Sequence, residues 1–242
     1  MSRGAALITG ASSGIGAATA RALAGDGWDV HVTARRGDRL QALAEEIGAT
    51  AHVADAIDRE AMAALVEETP FALVVANAGR GAAMTGLLDA TPEEIDEVIG
   101  VNVAALLHLA QASLKGMAAR GAGHFISIGS VAGLYPIGPT LYGASKHAVR
   151  GAMRNLRVDL HGSGVRFTDI QPGRVSTEFY DVAVADPSRR AAMKDTGIEE
   201  LKAEDIAEAI RWVAALPAHV NISALEITPT GQVFGGFKLA NG

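Results

Sequence analysis

The chain has 242 residues, 21 basic against 27 acidic side chains, a net charge of −6 and no cysteine. That length suits one α/β domain spanning residues 1–242, and no linker, repeat or charge run divides it. The acidic balance argues against nucleic acid or an anionic membrane as partner, and the missing thiols exclude disulfides, thiolate catalysis and cysteine-ligated metal.

Taken in chain order, Ala5 to Ile8 reads as a short buried strand entering TGASSGIG, Thr9 to Gly16, and then an alanine-rich helix from Ala17 to Ala24. Gly10, Gly14 and Gly16 allow a tight turn whose backbone N–H groups can approach a pyrophosphate, with the positive end of the helix behind them. Ser12 and Ser13 add hydroxyl donors. The G-x-x-x-G-x-G spacing differs from the G-x-G-x-x-G of other dinucleotide folds. A second strand at 29–33 leads into Ala34-Arg35-Arg36, where an acid would bind an adenosine ribose. Two adjacent guanidinium groups suit an added 2′-phosphate, so NADP(H) is expected over NAD(H). The alternative leaves Arg36 as a solvated turn residue.

Further strands are expected at 50–54, 72–76, 123–129, 165–170 and 224–228, giving seven that alternate with helices. This is the pattern of a doubly wound parallel sheet with helices on both faces. Thr91-Pro92-Glu93-Glu94 is a capping box that opens a long helix towards Arg120. Asn102 falls inside that helix, where its amide competes for backbone hydrogen bonds and can distort the local winding. No apolar run approaches the ~20 residues of a membrane span. The first residues show no signal-peptide pattern, so a cytoplasmic protein is expected. The seven histidines form no i, i+4 pair, and no metal site is expected.

Tyr142 and Lys146 stand four apart in YGASK, on one face of a helix. A phenol with an ordinary pKa of about 10 is a poor acid or base near neutrality, and an adjacent ammonium is expected to lower that value. Ser130 follows the apolar stretch ending at Ile128 and can hydrogen-bond the same substrate oxygen. A phenol, an amine and a hydroxyl so placed suit carbonyl reduction. His147 abuts Lys146, but one helical step points it about 100° away, towards a structural or interface role.

TGASSGIG, ANAG (Ala76 to Gly79), VNV around Asn102, GSVAG around Ser130, YGASK and PGRVST (Pro172 to Thr177) occur in the order found in the classical branch of the short-chain dehydrogenase/reductase family. The chain resembles that family from about Leu7 to its last helix. The resemblance implies that Tyr142 is the proton donor or acceptor and that Lys146 lowers its pKa and holds the nicotinamide ribose. It implies further that Ser130 orients the carbonyl and Asn102 holds a water in the proton relay. The implied cofactor contacts are Gly10, Ser12, Ser13, Gly14, Ile15, Gly16, Arg35, Arg36, Asp55, Ala56, Asn77, Ala78, Gly79, Tyr142, Lys146, Pro172, Gly173, Val175 and Thr177. Two departures stand out. Ala76 replaces an asparagine that braces the central strands in the family, at an expected cost in stability, and a short connection at Phe71 trims the third crossover helix.

The resemblance also implies a substrate lid at about 178–201 and a pocket wall at Leu134 to Gly138. Arg189 and Arg190 in the lid are expected in solvent rather than on an acid. Arg174 lies closer to the expected nicotinamide. Leu201 to Gln232 resembles the subgroup of NADP-dependent 3-hydroxy acid and serine dehydrogenases and related aldehyde reductases. A small carbonyl or alcohol is then the substrate, through ketone or aldehyde reduction or 3-hydroxy acid oxidation. Apolar excess on Ile95 to Ala119 and Tyr142 to Leu160 suggests a homodimer or homotetramer. The glycine-rich tail at 231–242 is expected to be disordered or laid over a neighbouring subunit. A catalytically silent dinucleotide sensor or scaffold of the same fold is the rival reading, and the four filled catalytic positions argue against it.

Overall fold

The computed structural model describes residues 3–81, 86–184, 186–195 and 197–233. The expected tail from 234 onward and the side chain of Arg189 lie outside the described residues. In chain order the elements are β1 (Ala5–Thr9), α1 (Gly14–Gly25), β2 (Asp29–Ala34), α2 (Gly37–Ile47), β3 (Thr50–Val53), α3 (Arg59–Glu68), β4 (Leu73–Ala76), α4 (Pro92–Ile99) and α5 (Ala105–Arg120). Then come β5 (Gly123–Ile128), α6 (Thr140–Asp159), β6 (Val165–Pro172), β7 (Val175–Ser176), α7 (Phe179–Ala183), α8 (Pro187–Lys194), β8 (Leu201–Lys202), α9 (Ala203–Ala215) and β9 (Ala224–Ile227).

Seven strands form one sheet in the order β3-β2-β1-β4-β5-β6-β9, every neighbouring pair parallel. They are the seven read from the sequence, because a parallel sheet buries both faces and its strands are continuous apolar runs. Ile8, Val32, Ile126 and Ile170 pack on one face against Leu23, Leu40, Ile206 and Ile210 of α1, α2 and α9. Leu7, Phe125 and Phe167 pack on the other against Leu109, Met117 and Met153 of α5 and α6. The strand order reverses between β1 and β4, and the crevice at their carboxyl ends is the place where such sheets bind ligands.

The capping box at Thr91 forms as expected, with Glu94 N–H donating to Thr91 Oγ1 and Thr91 N–H to Glu94 Oε2. The stretch Pro92–Arg120 is long and apolar enough, by length and composition, to cross a membrane, which corrects the expectation that no run approaches that length. Much of its apolar surface is spent on the core, where Leu106, Leu109, Leu114 and Met117 are buried. Between α4 and α5 the helix widens into a π-turn, Gly100–Ala104, with buried Asn102 at its centre. That is the distortion expected from a mid-helix asparagine, and its side chain explains it below. A two-stranded pairing of β7 with β8 closes off the segment that carries α7 and α8.

Candidate active site

The site begins where β1 ends. Gly10 adopts φ +65°, and a Cβ there would lie 2.9 Å from Ala78 Cα. At Gly16 a Cβ would fall 2.6 Å from both the Gly10 carbonyl and Asn77 Nδ2. The turn therefore needs glycine for its backbone angle at one position and for close approach at the other. Asn77 ties the two central strands together. Its Nδ2 donates to the Thr9 and Gly10 carbonyls at 2.9 and 3.2 Å, and the Asn77 and Ala78 N–H groups donate to Thr9 Oγ1 at 3.1 and 3.0 Å. Bracing of these strands comes from Asn77, while Ala76, where an asparagine is expected, borders a small cavity with Thr9, Val101 and Ala105.

A cleft of about 610 Å³ opens over this turn. Every residue assigned from the sequence to cofactor or catalysis lines it except Gly16 and Asn102. Both are buried behind the wall, one under the glycine turn and the other in the π-turn. The glycine cradle, the cleft volume and the guanidinium groups at one end fit a phosphorylated dinucleotide.

Ser130 leaves β5 in extended conformation, and its Oγ accepts from Ala132 N–H at 3.1 Å. Ser130 and Tyr142 line the same wall of the cleft. Lys146, one turn along α6, donates from Nζ to the Ile128 carbonyl at 2.9 Å and stands 5.8 Å from the Tyr142 ring centroid. Burial pushes the phenol up to about 12, against a smaller lowering by Ser130. Burial also pulls the lysine down to about 8, partly offset by the charge of Asp169. The net shift of Tyr142 is thus upward where a lowering is expected from Lys146: desolvation of the phenolate outweighs what its neighbours supply, and the hydrogen bond of the ammonium goes to a backbone carbonyl. Beneath them Ser127 and Gln171 donate to the two oxygens of buried Asp169, each at 2.7 Å.

Asn102 uses its whole amide. Its Oδ1 accepts from Arg80 N–H at 2.7 Å, and Nδ2 donates to the Arg80 carbonyl at 2.9 Å and to Ser145 Oγ at 3.0 Å. Ser145 donates in turn to the Tyr142 carbonyl at 2.8 Å. Asn102 thereby fastens the ANAG loop to the helix that carries Tyr142 and Lys146, which gives the π-turn its purpose.

At the opposite end of the cleft Arg36 is no solvated turn residue. Its Nε and Nη2 donate to Ser12 and Ser13 Oγ at 3.0 and 2.5 Å, and its Nη1 to Glu178 Oε2 at 2.9 Å. Arg39 grips the same carboxylate from Nη1, at 2.9 and 2.8 Å. Both guanidinium groups hold the Glu178 carboxyl below its ordinary range. Arg35 is more exposed and stands 3.7 Å from Asp55. Arg39 was missed in the sequence because it falls one helical turn past the arginine pair, in a helix whose surface is charged throughout.

The segment after Thr177 covers the cleft. Phe179 meets the Tyr142 ring edge-on at a centroid separation of 5.6 Å and touches Tyr180 on its other side. Arg174 lies over the Tyr180 ring at 5.0 Å, donates from Nε to Glu200 at 2.8 Å and bonds the Met193 carbonyl. Arg190 bonds the Val184 carbonyl, so it is not simply solvated. Gln232, well outside the motifs, accepts from Arg174 N–H at 2.8 Å.

A parallel sheet with a glycine turn at its switch point and a serine, tyrosine and lysine gathered above it defines a dinucleotide-binding oxidoreductase fold. The family model for short chain dehydrogenase matches residues 4–187, and the chain belongs to that family. It is 40% identical to an NADP-dependent 3-hydroxy acid dehydrogenase, YdfG, of Salmonella typhi, over 96% of this chain and 98% of that one. It is equally 40% identical to sulfoacetaldehyde reductase 2 of Chromohalobacter salexigens, over 96% and 97%. Among solved structures, the closed form of serine dehydrogenase complexed with NADP+ superposes with a TM-score of 0.90 at 37% identity, covering 98% of this chain and 99% of that one.

Proposed function

We propose that the protein is an NADP(H)-dependent oxidoreductase that interconverts a small aldehyde or ketone and its alcohol, by carbonyl reduction or 3-hydroxy acid oxidation. The observation that carries this is the meeting of Ser130, Tyr142 and Lys146 on one wall of the cleft whose lining also includes Arg35 and Arg36. The similarity to an NADP-dependent hydroxy acid dehydrogenase and to a structure complexed with NADP+ supports the cofactor.

When bound, the nicotinamide supplies or accepts the hydride at the substrate carbon. The chain's own residues handle the oxygen. Tyr142 donates a proton to it, and Ser130, on the same wall of the cleft, donates a hydrogen bond that fixes the carbonyl. A phenol held near 12 is protonated at neutral pH, the state that reduction requires. Lys146 keeps its charge below about pH 8 and stabilises the phenolate left after transfer. Asn102 holds the loop and helix in register, and a relay water is assigned beside it. The residues that would hold the cofactor are Gly10 to Gly16 for the pyrophosphate, Asp55 and Ala56 for the adenine, Lys146 and Asn77 to Gly79 for the ribose, and Pro172 to Thr177 for the nicotinamide amide.

Residues from Glu178 to Leu201 serve as the substrate lid. Leu107 on α5 and Val158 on α6 are exposed apolar residues on the two helices assigned to a homo-oligomer interface. A silent sensor would have no use for a buried phenol and amine arranged this way.

The test is NADPH oxidation by the purified protein over a panel of aldehydes, ketones and 3-oxo acids, with NADH in parallel. Turnover with NADPH on one class names the substrate type. Tight NADPH binding with no turnover across all three classes, in either direction, would favour the sensor.

A further inference from the structure

We propose that Glu178 is an internal competitor for the 2′-phosphate, and so the residue that limits preference for NADP(H) over NAD(H). The inference rests on the NADP(H) reading above and goes beyond it by naming what opposes the phosphate. Three contacts of 2.8–2.9 Å place the carboxylate on Arg36 and Arg39 together. Two further donors of Arg36, on Nε and Nη2, go to Ser12 and Ser13 at the mouth of the glycine turn. Among the described residues the anion on this guanidinium pair is Glu178, 142 residues away from Arg36 in the chain.

A phosphate monoester carries about −1.5 to −2 charges near neutrality and needs the same planar donors. Two anions within hydrogen-bond distance of one guanidinium repel each other, so the phosphate binds by displacing Glu178. Displacement is feasible because the carboxylate side chain is 44% exposed and can turn into water. A dinucleotide without the 2′-phosphate leaves the ion pairs intact. Glu178 thus subtracts from the affinity of the phosphorylated cofactor alone. Its neighbours carry the exchange onward: Thr177 packs against Gly14, and Phe179 rests on the Tyr142 ring. Release of Glu178 frees the start of the segment above the phenol.

The experiment is calorimetric titration of the full chain with adenosine 2′,5′-bisphosphate and with 5′-AMP. Glu178→Gln is expected to tighten bisphosphate binding about three- to tenfold, the weight of two exposed ion pairs, and to leave 5′-AMP within about twofold. Glu178→Asp keeps the charge and is expected to bind the bisphosphate like the parent. An unchanged or weakened bisphosphate affinity in Glu178→Gln overturns the competitor, as does an equal gain in Glu178→Asp. Arg36→Ala and the parent's own preference separate the two readings. If Arg36→Ala binds the bisphosphate as well as the parent does, the 2′-phosphate is read elsewhere and the competitor falls while the NADP(H) reading stands; if the parent itself binds the bisphosphate no better than 5′-AMP, the NADP(H) reading falls. If Arg36→Ala loses binding while Glu178→Gln gains nothing, only the competitor fails.

Discussion

The two ends of the cleft are built differently. At the nicotinamide end, Ser130 sits where β5 stops, and Tyr142 and Lys146 share one face of a 20-residue helix. Lys146 and Asn102 are almost fully buried, and hydrogen bonds fix both. At the adenosine end the contacts are ion pairs between half-exposed side chains on a turn, a helix and a lid. Exposed pairs of that kind are worth about 0–1 kcal/mol each, whereas an unsatisfied buried polar group costs about 1–3 kcal/mol. One end is therefore held in a single arrangement, and the other exchanges partners cheaply. Rigidity lies where a proton must be placed, and plasticity where a cofactor must enter and leave.

The strongest test of this contrast is Tyr142→Phe. Removal of the proton donor from a fixed frame is expected to lower turnover by about 10²–10⁴-fold, while NADPH affinity by fluorescence titration stays close to the parent value. A loss shared equally between turnover and binding would show that the phenol also holds the cofactor. At the other end, Arg36→Ala is expected to raise KM for NADPH about 10- to 100-fold, the worth of a charge-assisted hydrogen bond of about 1.5–3 kcal/mol. KM for NADH should hardly move. Steady-state kinetics with both cofactors decide it, and an equal loss for both would assign Arg36 to the serines of the turn rather than to the phosphate.

The same contrast explains what could be read from the sequence. All seven strands of the main sheet were legible as apolar runs, and Asn102, Ser130, Tyr142 and Lys146 as short motifs, because local backbone geometry delivers them: a strand end, a π-turn and an i, i+4 pair. The partners of Arg36 were not legible. Glu178 is an ordinary acid in a segment without strong periodicity, and only the tertiary fold brings it onto a guanidinium 142 residues earlier. The direction of the Tyr142 pKa was misread for a related reason. Spacing places Lys146 beside the phenol, but it does not reveal how much water burial removes from that phenol. Asn77, assigned from the sequence only to the cofactor, also ties the end of β4 to the end of β1.

The rigid end should also show in stability. His124, on the strand that leads to Ser130, is buried against Thr168 Oγ1 at 2.8 Å, and burial with the nearby charge of Arg166 pulls it down to about 3. Its folded pKa is below the unfolded value of about 6.5, so it contributes no pH dependence above that value. As pH falls from 6.5 towards 3, the unfolded chain takes up the proton first and stability is lost, at about 1.4 kcal/mol per unit. Between pH 6.5 and 5 the loss is about 2 kcal/mol. His124→Gln retains a side chain able to bond Thr168 and cannot titrate. Urea melts at pH 7 and pH 5 should show a drop about 2 kcal/mol smaller in the variant than in the parent. Equal drops would place the acid sensitivity in other groups.

Phe179 joins the two ends, since it follows Glu178 directly and its ring meets that of Tyr142 edge-on. Such a pair is worth about 0.5–1.5 kcal/mol beyond its buried area. Phe179→Ala should lower kcat/KM for the carbonyl substrate by about two- to twelvefold, with the acid–base groups themselves untouched. The sharper reading comes from the pH profile. If the ring only covers the phenol, the variant admits water, desolvation weakens, and the Tyr142 pKa falls from about 12 towards its ordinary value of about 10. A loss of kcat/KM with no movement of that pKa, followed by ultraviolet titration against Tyr142→Phe, would mean that Phe179 shapes the substrate pocket instead of drying the proton donor. The lid would then act on the rigid end by contact alone.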